Sequence, residues 1–177
     1  MSKTTENLMA AFAGESQARN KYTYWAKVAR KEGYHYIARI FEETAENEQQ
    51  HAKDEFKLAG GIGDTLANLK AAAEGEAYEV DTMYPEMARA AEEDGNKEAA
   101  VLFSMIARVE AHHRDRYQKL IELMEKGMVF KRSTPILWKC SKCGYVHEGT
   151  EPPEKCPACK HPKEYYGPAD METGLDP

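Results

Sequence analysis

Two stretches of the chain set a carboxylate and an imidazole three residues apart: Glu48 and His51 in AENEQQH, and Glu110 and His113 in VEAHH. Side chains three apart share one face of a helix, so each pair aims an oxygen and a nitrogen ligand at one point. Three more acids, Glu15, Glu76 and Glu79, interrupt apolar positions of helical period. Burying a carboxylate without a partner is costly, and no Lys or Arg shares the inward stripe with these acids. Metal cations are the natural counter-charge. Oxygen and imidazole donors suit iron or manganese, and carboxylates can bridge two ions. Taken alone, Glu15 reads first as a solvated acid on a helix face; the duplicated set reads as a metal centre.

A second kind of ligand sits near the other end. Cys140-x-x-Cys143, twelve residues, then Cys156-x-x-Cys159 is the spacing of a four-thiolate tetrahedral site. These are all four cysteines of the chain. In a reducing compartment such pairs read as metal or redox thiols before structural disulfides. Spacing alone favours a structural zinc ribbon at least as much as a redox iron. Gly144, just after the second cysteine, suits a tight knuckle.

The elements that must carry these residues fall into two unlike regions. Residues 1 to 132 hold one proline, Pro85, and are rich in Ala, Glu, Lys, Met and Leu; from Ser133 onward there are seven prolines and no helical period. The division predicts domains at 1–132 and 133–177. In the first region, apolar residues at helical spacing predict four helices. The first carries Leu8, Phe12, Tyr22, Trp25, Ala26 and Ala29 and ends at Gly33. The second carries Ile37, Phe41, Ala45, Ala52 and Leu58 and ends at Gly60-Gly61. Asp64 caps the third, with Leu66, Leu69, Ala73, Met83 and Met87 facing in, and Gly95 closes it. The fourth carries Phe103, Ile106, Tyr117, Leu120 and Met124 and ends at Gly127. Trp138 and Tyr145 are the expected core of the small cysteine region, which needs a metal staple at its size.

The two helix pairs read as copies. A shift of 62 carries Tyr22 onto Tyr84, Gly33 onto Gly95, Phe41 onto Phe103, Glu48 onto Glu110 and His51 onto His113. Gly14-Glu15 meets Gly75-Glu76 only at a shift of 61. A one-residue slip within a helix predicts a π-bulge, often found near functional sites. His35, His112, His147 and His161 read as surface or packing residues. Glu55 has no partner in the repeat and reads as a polar end residue.

The fold class this implies is mainly α: a ferritin-like four-helix bundle, with one Glu from each of two helices and Glu-x-x-His from the other two, followed by a small metal-knuckle domain. The formal charge of -6 argues against nucleic acid as a partner. No apolar run is long enough for a membrane span, and the N-terminus lacks a signal peptide's basic start and apolar core, so a cytoplasmic location is expected.

The segments AFAGESQARNKY, the paired helices with Glu48/His51 and Glu110/His113, GEAYEVDTMYPEMARAAEEDG and WKCSKCGYVHEGTEPPEKCPACKHP strongly resemble the rubrerythrins over nearly the whole chain. The resemblance implies a non-haem iron oxidoreductase that reduces hydrogen peroxide to water. It implies a di-iron site with Glu48 and Glu110 bridging, Glu15 and Glu79 on one iron, and Glu76 and His113 on the other. His51 would replace Glu79 on reduction. Lowering the charge of the ion pair leaves one carboxylate surplus, and a neutral imidazole then balances the site better. Tyr22 and Tyr84 match tyrosines that hydrogen-bond the ligand shell, which makes Glu79, His51, Tyr22 and Tyr84 the candidate catalytic residues. Cys140, Cys143, Cys156 and Cys159 would hold one iron, with zinc as a possible substitute, and relay electrons from an external donor, a rubredoxin or an NAD(P)H-dependent reductase. Two other readings stand beside this one: an iron-handling ferroxidase, and a non-enzymatic scaffold with a zinc ribbon.

Chain connectivity adds an expectation. In ferritin-like bundles the second and third helices run parallel, so their connection must travel roughly 35 Å. Gly60-Gly61-Ile62-Gly63-Asp64 reaches at most about 18 Å. A homodimer is therefore expected, in which the first two helices of one chain pack on the last two of its partner. The resemblance also implies a dimer, with the cysteine centre of one chain near the di-iron site of the other.

Overall fold

The computed structural model describes residues 2–171 and residue 175. Helix α1 spans Lys3–Lys31 and α2 spans His35–Leu58. Helix α3, Thr65–Tyr78, runs through a π-helical turn at Glu79–Met83 directly into α4, Tyr84–Glu93. Helix α5 is Lys97–Glu125. A three-stranded antiparallel sheet follows, β1 Ile136–Cys140, β2 Val146–Gly149 and β3 Tyr166–Pro168, in the order β2-β1-β3. No described helix is long and apolar enough to cross a membrane.

The helix ends are set by local chemistry. Gly33, Gly60, Gly95 and Gly127 all have positive φ, as a left-handed cap requires. At Gly33 the Tyr34 amide reaches back to the Ala29 carbonyl at 2.8 Å, and at Gly95 the Asn96 amide reaches Ala91 at 2.8 Å. These are the same Schellman closure in both copies. Asp64 caps α3 as expected, its carboxylate accepting the Ala67 amide at 2.8 Å. The slip in the repeat is the π turn. Glu76 to Tyr84 holds one residue more than Glu15 to Tyr22, and the extra residue lies in the segment Glu79–Met83.

The chain divides into two compact units, 1–63 and 64–177. In the first, α1 and α2 form a hairpin whose seam is alanine: Ala26, Ala29, Ala38, Ala45 and Ala52 are buried. In the second, Ala73, Ala88, Ala91 and Ala100 do the same between α3–α4 and α5. Four large residues expected to face inward, Trp25, Ile37, Leu58 and Met87, are instead exposed. Two helices bury only a narrow strip against each other. The rest of a wide apolar stripe needs a further layer.

The cysteine module has its own core of Trp138, Cys140, Cys156 and Tyr166. Trp138 is fully buried, as expected, and its indole donates to the Gly149 carbonyl at 2.9 Å. Tyr145 is not in the core; its ring is exposed. The knuckle turns its backbone inward instead, so that the Tyr145 carbonyl accepts the Cys140 amide at 2.9 Å. Tyr166, opposite Cys140 in the β1–β3 register, supplies the buried ring. Arg132, 2% exposed, lies over the Trp138 ring at 5.3 Å and donates to the Lys131 and Met128 carbonyls.

Candidate metal centres

In unit 1–63, α1 brings Glu15 to Glu48 and His51 of α2, with one ligand atom of each within 4.8 Å of the others. His51 Nδ1 is 2.8 Å from Glu48 Oε2. Two aromatic pairs bracket the trio along the hairpin: Phe12 stacks on Phe56 at 4.6 Å, and Tyr22 on Phe41 at 6.1 Å. Glu15 holds its proton above the ordinary carboxyl range. The cause is first its hydrogen bond with Glu48, then burial, then the charges of Glu48 and Glu55; His51 partly offsets them.

Unit 64–177 repeats the arrangement. Glu76 of α3 meets Glu110 and His113 of α5 within the same 4.8 Å. His113 Nδ1 lies 2.6 Å from Glu110 Oε2 and 3.7 Å from Glu76 Oε2. Tyr84 and Phe103 pair at 6.2 Å, the counterpart of Tyr22 and Phe41. Glu76 is likewise pushed up, first by burial, then by its hydrogen bond with Glu110 and the Glu110 charge. Its Oε2 is buried without a hydrogen-bond partner. The Tyr84 phenol is raised by burial and then by the charges of Glu79, Glu110 and Glu76, which places it among the acids.

Glu79 stands apart from this trio. It opens the π turn, is half-buried, and acts on Tyr84 and Glu76 through its charge. His112 is exposed, as its spacing from Glu110 predicts. One residue was underestimated from sequence. Glu55 has an oxygen buried without a hydrogen-bond partner, and its charge raises Glu15. The signal was its position four residues after His51, on the face that carries the ligands.

The four cysteine sulfurs also fall within 4.8 Å of one another. Cys140 and Cys159 are 3.7 Å apart, Cys143 and Cys156 3.6 Å. A tetrahedron built on metal–sulfur bonds of about 2.3 Å has edges of about 3.8 Å, so the cluster is already the size of the ion. Its thiols are polarised unequally. The Tyr145 amide pulls Cys143 down, but the thiols of Cys159, Cys156 and Cys140, together with burial, push it up to about 12. Burial pushes Cys156 up, but the Tyr166 hydroxyl and the amides of Cys159 and Ala158 outweigh it and bring the thiol to about 6.

The donor sets fit the metals the sequence implies. In each trio one carboxyl, Glu15 or Glu76, is raised by its carboxylate neighbour, a buried Glu76 oxygen lacks a hydrogen bond, and the thiols stand at tetrahedral spacing. Together these define a helical non-haem metalloprotein with carboxylate–histidine half-sites and a separate four-thiolate module. The sequence profile described as Rubrerythrin matches residues 6–121, and that described as Rubrerythrin, rubredoxin-like domain matches residues 138–167. The chain is 49% identical to the rubrerythrin of Clostridium perfringens, over 93% of each chain. It is 46% identical to the rubrerythrin of Nitratidesulfovibrio vulgaris, again over 93% of each. A solved structure described as the fully reduced, all-ferrous state of nigerythrin is 36% identical over 95% of this chain and 87% of that one, with a TM-score of 0.37.

The chain belongs to the rubrerythrin family. It is an oxidoreductase whose cofactors are a di-iron pair held by carboxylates and histidine and one iron held by four cysteines.

Proposed function

We propose that this protein reduces hydrogen peroxide to water, with electrons relayed through the cysteine-bound iron. The observation that carries the reading is the pairing, on one chain, of two matched carboxylate–histidine trios with a four-thiolate site. The di-iron pair supplies two electrons at one place, and one molecule of peroxide with two electrons and two protons gives two of water. The protein's part is to hold the ions and manage the protons. Glu48 and Glu110 would be shared between the two ions, Glu15, Glu76, Glu79 and His113 would complete the set that holds the oxidised pair, and His51 would take the place of Glu79 after reduction. The upward shift of the Glu15 and Glu76 carboxyls, each raised by a neighbouring carboxylate, supports a part for them in managing protons. Tyr22 and Tyr84, each fixed against a phenylalanine, orient the ligand shell. The functional division of the chain is 1–132 for the di-iron domain and 133–177 for the electron-transfer domain. The external donor is a rubredoxin or an NAD(P)H-dependent reductase, and the compartment is the cytoplasm.

The site is completed by a second copy. Each unit supplies one trio, and Gly60–Asp64 is too short to let α2 and α3 run parallel in one bundle. Each hairpin also leaves a row of large apolar side chains open, Trp25, Val28, Ile37 and Ile40 on one and Met87, Val101, Met105 and Val109 on the other. A swapped homodimer covers these rows and joins the trios. Co-expression of Glu48→Gln and Glu110→Gln chains tests it. In a swapped mixed dimer one site receives both lesions and the other none, so iron binding and turnover return; bundles closed within one chain give no rescue.

Stopped-flow mixing of anaerobically reduced protein with peroxide and with oxygen tests the activity. Fast oxidation by peroxide and slow oxidation by oxygen is the expected result. The reverse order, with ferric iron accumulating, would make the protein a ferroxidase.

A further inference from the structure

Tyr166 is 4% exposed, and its buried hydroxyl oxygen makes no hydrogen bond of ordinary geometry, although it lies close enough to Cys156 to lower that thiol. A buried hydroxyl without a well-formed hydrogen bond is costly, so its placement calls for a reason. A core ring at this position gains nothing from the oxygen, since phenylalanine would fill the same space. The ring packs with Trp138, Cys140 and Cys156, and the β1–β3 register sets Tyr166 directly opposite Cys140. The acceptors available in this core are therefore the cysteine sulfurs. Here the sulfurs pair with each other, Cys143 with Cys156 and Cys140 with Cys159. Metal binding removes the thiol protons and turns each sulfur into an anionic acceptor.

We propose that, in the iron-loaded protein, the Tyr166 hydroxyl donates a hydrogen bond to the Cys156 thiolate and so raises the reduction potential of the cysteine-bound iron. The ferrous site carries one more negative charge than the ferric site, so a donor at sulfur stabilises the reduced state more. No bond is made or broken; the hydroxyl keeps its proton. Tyr166 is thus a positioning residue for charge, buried away from any substrate. The inference concerns the cysteine module alone and stands or falls independently of what the helical site reduces.

The test is the midpoint potential of the cysteine-bound iron in wild-type and Tyr166→Phe holoprotein, followed by its thiolate-to-iron absorption in an anaerobic titration. The expected result is a tenfold shift of the reduction equilibrium towards ferric iron, about 59 mV for one electron, with iron content and melting temperature retained. An unchanged potential in a fully loaded variant overturns the proposal. A second measurement uses the wild-type protein with cadmium in the cysteine site. Scalar coupling between the metal and the Tyr166 hydroxyl proton is expected across the hydrogen bond, and its absence overturns the proposal even if the variant fails to load.

Discussion

The two helical hairpins repeat one arrangement of residues, with one extra residue in the second. Each has an alanine seam, a tyrosine against a phenylalanine, a glycine-closed helix and a trio of Glu, Glu and His. The second alone carries the π turn, and with it Glu79. An added residue in a helix would rotate everything after it by about 100°. The π turn absorbs that rotation locally, so Tyr84 keeps the place that Tyr22 has. The difference teaches how a duplicated scaffold acquires an odd carboxylate: the spacing is kept while five residues of looser helix present one more acid.

The comparison breaks most severely if a ligand proposed to serve both ions is removed. Glu48→Gln and Glu110→Gln should each cost more than about 100-fold in peroxide turnover, beyond the effect of outer-shell changes. Each should lose iron from the helical site while keeping the cysteine-bound iron; metal analysis with absorption spectra checks this. A marked inequality between the two variants would mean that the copies are not equivalent.

Deleting Asp81, an exposed residue of the π turn, gives the second hairpin the spacing of the first. The expected outcome is unchanged helical circular dichroism, a turnover reduced at least about 10-fold, and Glu79 removed from the site. Glu79→Gln should match that loss of rate. If the deletion leaves the rate intact, the π turn does not serve the chemistry.

The raised Glu15 and Glu76 carboxyls give a pH test. In the metal-free protein the folded state binds these protons more tightly than the unfolded chain does. Their stabilisation is therefore full below the ordinary value of 4.5 and is lost as pH rises through the higher folded values. With iron on these oxygens, as proposed, metal and proton compete, and the loaded protein should show the opposite trend over that range. Melting curves of both forms, from acid to neutral pH, check the sign.

The smallest effect concerns the caps. Asn96 caps α5 by accepting the Ala99 amide at 3.1 Å, whereas Tyr34, its counterpart ahead of α2, makes no side-chain cap. Tyr34→Asn should stabilise the first hairpin by about 1 kcal/mol, and Asp64→Ala should destabilise α3 by a similar amount, both read from thermal melts of the metal-free protein.

Much of this was written locally in the chain. Helix ends follow from Gly33, Gly60, Gly95 and Gly127, the α3 cap from Asp64, the four-thiolate site from its spacing, and both trios from three-residue periodicity and a 62-residue repeat. Even the π turn showed as a change of shift from 61 to 62. These properties depend on neighbours a few residues apart, whose backbone geometry is nearly fixed. The rest depended on which surfaces meet. Only tertiary structure decided that Tyr166 rather than Tyr145 fills the cysteine core, because strand pairing and a turned-in knuckle choose between the two tyrosines. Only packing decided that alanine seams leave Trp25 and Met87 open, and that Glu55 lies near enough to press on Glu15. Burial and charge act through space, and a chain's period along one helix does not record what the next helix brings to it.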